Sequence, residues 1–351
     1  MLGTVLAGNR GDGDRPALVL HLHPVTAMRF KAAAVALALL TTTAGCTDKP
    51  DAAPDKVAYA TGFGAVGRDA FIWVARDKGY FAEARIEVDI QKGTGNVPNL
   101  TMLKANEAQF AAMDFAGAEL LAGQRKFTDW RAVAAIHQQT LVSIMTTADT
   151  GITKPTDLKG RTVATATGSV SEVLFPAYAK LAGLDPASVT IQGTQPTALN
   201  GLMAQRRVDA ISTFLLSRKA LETTSKKSVT VLPYSDYLKN LYGNVIVTQA
   251  GLIGSDRDLV QRFTTAAPKG LRYTLDHPQE AAEILNRAEP TAAIPAAVGE
   301  IEAMKPYAEP LGRLDQKRVT DGLAELQAGG LSADQVADFS FCSGTPTAGC
   351  S

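Results

Sequence analysis

Histidine and cysteine are scarce: the chain holds four His and three Cys in 351 residues. That leaves too little material for a metal-rich centre or a disulfide-framework fold. Net charge is absent as well, with 35 Lys and Arg against 35 Asp and Glu. A dedicated nucleic-acid binder carries a basic excess. No apolar run reaches the ~20 residues that span a bilayer, which excludes a polytopic membrane protein. No G-x-S-x-G elbow, H-E-x-x-H pair or Cys-x-x-Cys occurs. What remains is 46% hydrophobic and 20% charged, the composition of a soluble, well-packed chain. Its length suggests two globular lobes.

The first residues speak to compartment. Residues 1–27 show no sustained periodicity and are expected to be an upstream extension, with Met28 as the start. Arg29 and Lys31 then precede an unbroken Ala, Val and Leu run over Ala32–Leu40, followed by Thr43-Ala44-Gly45-Cys46. This is the layout of a secretory signal over 28–45. Its end resembles the lipobox of bacterial lipoproteins, in which the Cys is lipidated, although Thr43 stands where Leu is usual. An ordinary cleaved signal with an unremarkable Cys46 is the alternative. Residues 46–55, rich in Pro, Asp and Ala, suit a tether. Without residues 1–45 the chain holds 31 basic and 33 acidic residues, so no basic patch for lipid or nucleic acid stands out. At the other end, the tail 341–351 holds Cys342 and Cys350 around a turn-rich loop. An oxidising compartment makes a disulfide the default; two free thiols are the alternative.

Between the ends, apolar periodicity predicts alternating strands and helices. Strands are expected at Val57–Thr61, Ile86–Ile90, Gln109–Met113, Arg131–Ile136 and Leu141–Thr147. Others follow at Thr162–Ala166, Val189–Gln192, Asp209–Thr213, Val229–Leu232 and Asn244–Ala250. Helices are expected at Phe71–Phe81, Leu100–Ala105, Ala116–Ala122, Val173–Leu181 and Ala198–Gln205. Four more close the chain at Leu259–Leu275, Pro278–Arg287, Ala292–Met304 and Gln316–Ala328. Such alternation argues for parallel sheets covered on both faces. Pro176 is tolerable only in a first helical turn.

Several segments, in order, carry a family resemblance. Ala75-Arg76-Asp77-Lys78-Gly79-Tyr80-Phe81 resembles the A-x-x-x-G-Y-F helix end of one group of solute-binding proteins. These serve bacterial ABC importers for nitrate, taurine, alkanesulfonates and thiamine-pyrimidine precursors. Ala105–Asp114 resembles that group's helix and D-F-A strand, with Gln109-Phe110-Ala111 at its centre. Pro155–Arg161 resembles the D-L-K-G-K start of the second lobe, and Gly168-Ser169 its first turn. Val208-Asp209-Ala210 is similar to the G-x-V-D-A strand, with Arg206 where Gly is usual, and Asp276–Ala281 to a helix start. The resemblance implies an α/β fold of the two-lobed periplasmic-binding-protein type (type II), with two crossing segments and a ligand cleft between the lobes. Lobe one would take 56–139 and 246–340, and lobe two 140–245, with crossings near Gln139–Ile144 and Asn244–Thr248. It further implies a monomer without cofactor or metal, and a small-molecule ligand. Separate ABC permease and ATPase chains would be the partners, and the outer face of the cell membrane the location.

In open α/β sheets, ligands bind beyond the carboxyl ends of strands. After the first expected strand come Gly62, Phe63, Gly64, Arg68 and Asp69. Their glycines let backbone approach a ligand, and Arg68 offers a grip on an oxyanion unless it pairs with Asp69 or solvent. After the second come Gly93, Thr94 and Asn96, and after the third Asp114 and Phe115. Asp114 would accept from an amine or cap a helix; Phe115 would stack on a flat ring. Gln139 lies at the first crossing. In lobe two, Gly168, Ser169 and Ser171 open a helix, either as an anion site or as a cap. Thr194, Thr213 and Phe214 end later strands, Phe214 as an apolar wall. The ligand is expected to be a thiamine-pyrimidine-like heterocycle or a sulfonate- or nitrate-type anion. Two other readings stay open: an enzyme of the same fold related to thiamine-pyrimidine synthesis, and a ligand-sensing domain. The first is weakened by the lack of a Cys cluster or a matching Lys, the second by the lack of a helix-turn-helix.

Overall fold

The computed structural model describes residues 53–341. The expected extension, signal peptide, lipid-bearing Cys46, most of the tether, and the Cys342–Cys350 pair lie outside them. Ten strands are described: β1 (Asp55–Ala60), β2 (Ile86–Gln91), β3 (Phe110–Asp114), β4 (Trp130–Ala135), β5 (Val142–Thr147), β6 (Thr162–Ala166), β7 (Thr190–Thr194), β8 (Ala210–Phe214), β9 (Val229–Pro233) and β10 (Asn244–Gln249). The helices are α1 (Ala70–Asp77), α2 (Tyr80–Glu83), α3 (Asn96–Lys104), α4 (Phe115–Gly123), α5 (Val170–Leu181), α6 (Leu199–Ala204), α7 (Arg218–Ser225), α8 (Ala250–Ser255), α9 (Arg257–Asp276), α10 (Pro278–Ala288), α11 (Ile294–Met304) and α12 (Gln316–Glu325).

The strands form two five-stranded sheets, in the orders β2-β1-β3-β10-β4 and β7-β6-β8-β5-β9. The α/β alternation predicted parallel sheets; both are mixed. β10 runs antiparallel to β3 and β4, and β5 antiparallel to β8 and β9. The cause is connectivity. β5 and β10 each arrive straight from the other sheet, without the helical crossover that returns a strand in parallel. The two sheets have equivalent orders, so β1 and β6 hold matching places, as do β3 and β8.

Chain passes between the sheets twice, at 136–141 and 234–243. The segments are tied together: Thr140 N–H donates to Leu241 O at 2.9 Å and Gly243 N–H to His137 O at 3.1 Å. The second passage ends earlier than expected, because Asn244 already pairs with Asp114 in the first sheet.

Local sequence explains the elements. In β2, Ile86 and Val88 are buried while Glu87 and Asp89 face water, the period of a half-covered strand. The helix expected over Phe71–Phe81 breaks in two, because Gly79 adopts φ +80° between α1 and α2. Across the first sheet lies an aromatic stack in which Phe263 of α9 meets Phe110 at 3.9 Å and Tyr59 at 5.9 Å. In lobe two, Met145, Ala164 and Ile211 of the sheet pack on Leu199, Met203 and Leu221. Pro176 lies in the middle of α5, not its first turn, because the helix, capped by Ser169, begins at Val170, three residues before the expected start. The proline is on the exposed side, where water reaches the backbone it leaves unbonded.

Candidate functional site

The loop after β1 is organised around a buried acid. Asp69, 1% exposed, accepts from Gly62 N–H at 3.0 Å. Burial pushes its carboxyl up, and the Arg68 charge opposes the shift. Arg68 lies 3.9 Å from Asp69 and 3.8 Å from Glu300 of α11. Its own backbone N–H donates to the same Glu300 at 3.2 Å. Phe63, at the tip, is 55% exposed and bridges to Thr94.

That loop is riveted to the one after β2. Thr61 Oγ1 donates to Gly64 O at 2.6 Å and accepts from Gly93 N–H at 3.1 Å; Gly64 N–H donates to Gly93 O at 2.8 Å. Position 93 admits only glycine, since a Cβ there would lie 1.9 Å from Thr61 O. Beneath both loops sits Asn99, fully buried. Its amide donates to Thr61 O and Ala112 O, each at 2.9 Å, and accepts from Thr94 N–H at 3.3 Å. Sequence reasoning missed Asn99; nothing in one chain separates it from a solvated helical Asn.

At the end of β3, Asn96 exchanges hydrogen bonds with the Asp114 backbone at 2.8 and 3.1 Å. Asp114 caps α4, its Oδ1 accepting from Gly117 N–H at 2.8 Å. Its Oδ2 is buried and has no hydrogen-bond partner. Burial pushes this carboxyl up to about 7, against the pull of the Gly117 N–H. Glu119, one turn on and 2% exposed, is raised well above the usual range by burial and the Asp114 charge. Beside them Asn244 opens β10, with Nδ2 3.1 Å from where a Cβ on Gly62 would stand. Neither Glu119 nor Asn244 was singled out from sequence.

Phe115 does not reach the strand-end surface. It is 1% exposed and packs edge-on against Trp130 and Tyr242, because it points inward from the first turn of α4. Gln139 is exposed on the first passage, while Gln138 is buried and bonds Pro310 O and Arg313 O at 2.6 and 2.9 Å. His137 is buried and neutral, pushed down to about 3 by burial and the Arg68 charge. Its Nδ1 accepts from Asn244 N–H at 3.3 Å and its Nε2 lies 3.4 Å from Met304 Sδ.

In lobe two, the matching loop follows β6. Ser169 caps α5, accepting from Glu172 N–H at 3.4 Å, and Glu172 returns its carboxylate to Gly168 N–H at 2.5 Å. Ser169 is thus the α5 cap, and Glu172 covers the N–H of the residue before it. Ser171 is buried, its carbonyl accepting from Tyr234 Oη at 3.3 Å. Tyr234 stacks on Tyr178 at 4.1 Å and pairs with Ser212 Oγ at 2.9 Å. Thr194 and Thr213 are half-buried at strand ends. Phe214, also half-buried, packs against two apolar clusters, each of which holds residues of both lobes. Next to it, Leu215 and Leu216 join Ala297 and Ile301 of α11 in one cluster, an apolar contact between the lobes. Two surface depressions, of about 350 and 260 Å³, lie on lobe one near Gln109 and near Arg262, away from these loops. Among the described residues no group of His, Cys, Asp and Glu is arranged to hold a metal, and no helix is long and apolar enough to cross a membrane.

With this geometry in hand, similarity to known proteins is informative. The family model described as NMT1/THI5 like matches residues 68–281. The chain is 26% identical over 217 residues to the riboflavin-binding protein RibY of Chloroflexus aurantiacus, covering 60% of each. It is 25% identical over 217 residues to the formylaminopyrimidine-binding protein of Halalkalibacterium halodurans, covering 61% of this chain and 65% of that one. The match thus spans less than two thirds of either curated relative. In three dimensions the chain is similar to the periplasmic aliphatic sulphonate binding protein SsuA of Escherichia coli. The TM-score is 0.68 at 14% identity, over 84% of this chain and 96% of that one; at that identity the likeness concerns the fold alone.

Proposed function

We propose a function from one established premise: this chain belongs to the NMT1/THI5-like family. It acts as the solute-binding component of an ABC importer, outside the cytoplasm, anchored to the membrane through lipid on Cys46. Its two lobes close on a small organic solute, a thiamine-pyrimidine-like heterocycle or a sulfonate- or nitrate-type anion. Separate permease and ATPase chains read the closed form.

One observation carries this reading. The two sheets have equivalent strand orders, and the first parallel strand of each ends in a loop that opens a helix, at 61–69 and 167–171. Among the described residues two passages of chain connect the sheets, which is the connectivity of a hinged clamp. Exposed apolar side chains lie on or next to these loops: Phe63 on the first, Val97 in the first turn of α3 after β2, and Val173 in the first turn of α5. They offer faces for a flat ring. The residues proposed to touch the solute are Phe63, Thr94, Asn96 and Asp114 from lobe one, and Gly168, Thr194 and Thr213 from lobe two. The relatives' names, riboflavin-binding and formylaminopyrimidine-binding, supply the first solutes to try. An enzyme reading draws no support from His137, whose ring is buried, neutral and bonded on both nitrogens.

The test joins melting shifts with solution scattering. A solute that binds the folded form raises the melting temperature by mass action, and one that favours the closed form compacts the protein. A heterocycle or anion should do both without being consumed. Turnover of a bound compound, or a solute that stabilises without compaction, would remove the importer reading.

A further inference from the structure

The hydrogen-bonding inventory of the strand ends favours one solute chemistry over another. An oxyanion is held by free N–H groups, hydroxyls or an unpaired cation, and the first and last of these are largely committed here. Gly62 N–H is taken by Asp69, Gly168 N–H by Glu172, and Gly117 N–H by Asp114. Arg68, the cation of the β1 loop, is shared between Asp69 and Glu300. Three N–H groups at the strand ends, and the loop arginine, are therefore already engaged by carboxylates of the protein. Asn96 commits its amide oxygen and one of its two amide hydrogens to the Asp114 backbone.

The free capacity has the opposite sense. Asp114 Oδ2 is a buried acceptor with no donor, on a residue only 8% exposed, at the carboxyl end of a central strand. A buried acceptor without a donor costs the desolvation of that atom, and a donor arriving with a solute would recover it. We infer that Asp114 Oδ2 accepts from an N–H group of the solute, a ring N–H or amino group of a neutral or protonated nitrogen heterocycle, and that these strand ends reject oxyanions. Asn244, whose amide lies beside Gly62 and whose backbone pairs with Asp114, is placed to bond the same ring. This rests on the solute-binding reading and narrows it.

The experiment is calorimetric titration of the whole chain at pH 8 with four probes: formylaminopyrimidine, riboflavin, methanesulfonate and nitrate. Wild type should bind one of the two heterocycles and neither anion. Asp114→Asn keeps the α4 cap, since Asn caps as well as Asp, and replaces the free oxygen with an NH2 donor. It should weaken heterocycle binding roughly ten- to a hundredfold, the loss of a charge-assisted hydrogen bond, without lowering the melting temperature. Asp114→Ser, which also caps, should lose a similar factor and serves if the first variant folds poorly. Binding of methanesulfonate or nitrate by wild type would overturn the inference and leave solute binding intact. A heterocycle bound equally by both variants would overturn the role of Asp114. Binding of none of the four, with no compaction in scattering, would overturn the solute-binding reading and this inference with it.

Discussion

Asn99→Ala should loosen the loops that form the candidate site while leaving the rest of lobe one folded. In the native protein the Asn99 amide satisfies Thr61 O and Ala112 O, each at 2.9 Å, and ties in Thr94 N–H at 3.3 Å. Thr61 and Ala112 are fully buried and Thr94 is exposed. Truncation therefore withdraws a donor from two buried carbonyls, while the third group regains water. Each buried polar group left without its partner costs about 1–3 kcal/mol, so the variant should lose about 2–4 kcal/mol of stability. Asn99→Asp removes the donors but keeps the volume, and sets an acceptor against two carbonyls. It should lose at least as much, which separates hydrogen bonding from packing. Urea unfolding measures the loss as a lower midpoint at unchanged slope. Amide exchange should speed up at Gly62–Asp69 and Gly93–Asn96 and stay slow in β3 and α9. A loss below about 0.5 kcal/mol for Asn99→Ala, or full stability in Asn99→Asp, would refute the idea that this amide holds the loops.

Two further outcomes follow from buried charge and from the passages between lobes. Asp114 has a folded value of about 7 against an ordinary 3.8, so its contribution is fully present below about pH 4 and is lost as pH rises through 7. Raising pH from 5 to 8 should cost about 2–3 kcal/mol through this group. Asp114→Asn should then melt above wild type at pH 8 and close to it at pH 5; equal melting at both would show that the carboxyl is not shifted. Arg318 of α12 spans both passages: it bonds Gln138 O, donates to Gln138 Oε1 at 3.4 Å and Leu241 O at 3.3 Å, and lies 4.0 Å over the Tyr242 ring. Arg318→Ala should lose about 2–4 kcal/mol in urea unfolding. A loss under 1 kcal/mol would mean that the passages are held by their mutual backbone bonds.

Much of the fold was legible because burial imposes a period. The alternation in Ile86–Ile90 and the long apolar faces of α9 and α10 can be read from one chain. The expected ten strands match the ten observed, most within two residues at either end. Direction was not legible. Whether β5 and β10 run with or against their neighbours depends on which sheet they join, and that is a long-range fact about the passages. The start of α5 was misplaced for a local reason. Val170 and Ser171 carry no strong helical period, and only the Ser169–Glu172 pairing reveals that the helix has begun.

The site was legible in position more than in sense. Glycines, a Ser and acids after Ala60, Gln91, Asp114 and Ala166 mark strand ends, and those are where the loops lie. Their chemistry depends on partners far away in sequence. Arg68 reads as an anion grip until Glu300, 232 residues on, is found beside it. Gly168 reads as an open N–H until the Glu172 carboxylate is seen to cover it. Phe115 reads as a stacking platform until Trp130 and Tyr242 close around it. A residue type sets what bonds a side chain is able to make, and the fold decides which of them are already made. For a binding site the second quantity is decisive, because a solute can use only what the protein has left unbonded. On that ground the unpartnered Oδ2 of Asp114 says more about the solute than the Gly-rich loops and the arginine beside it.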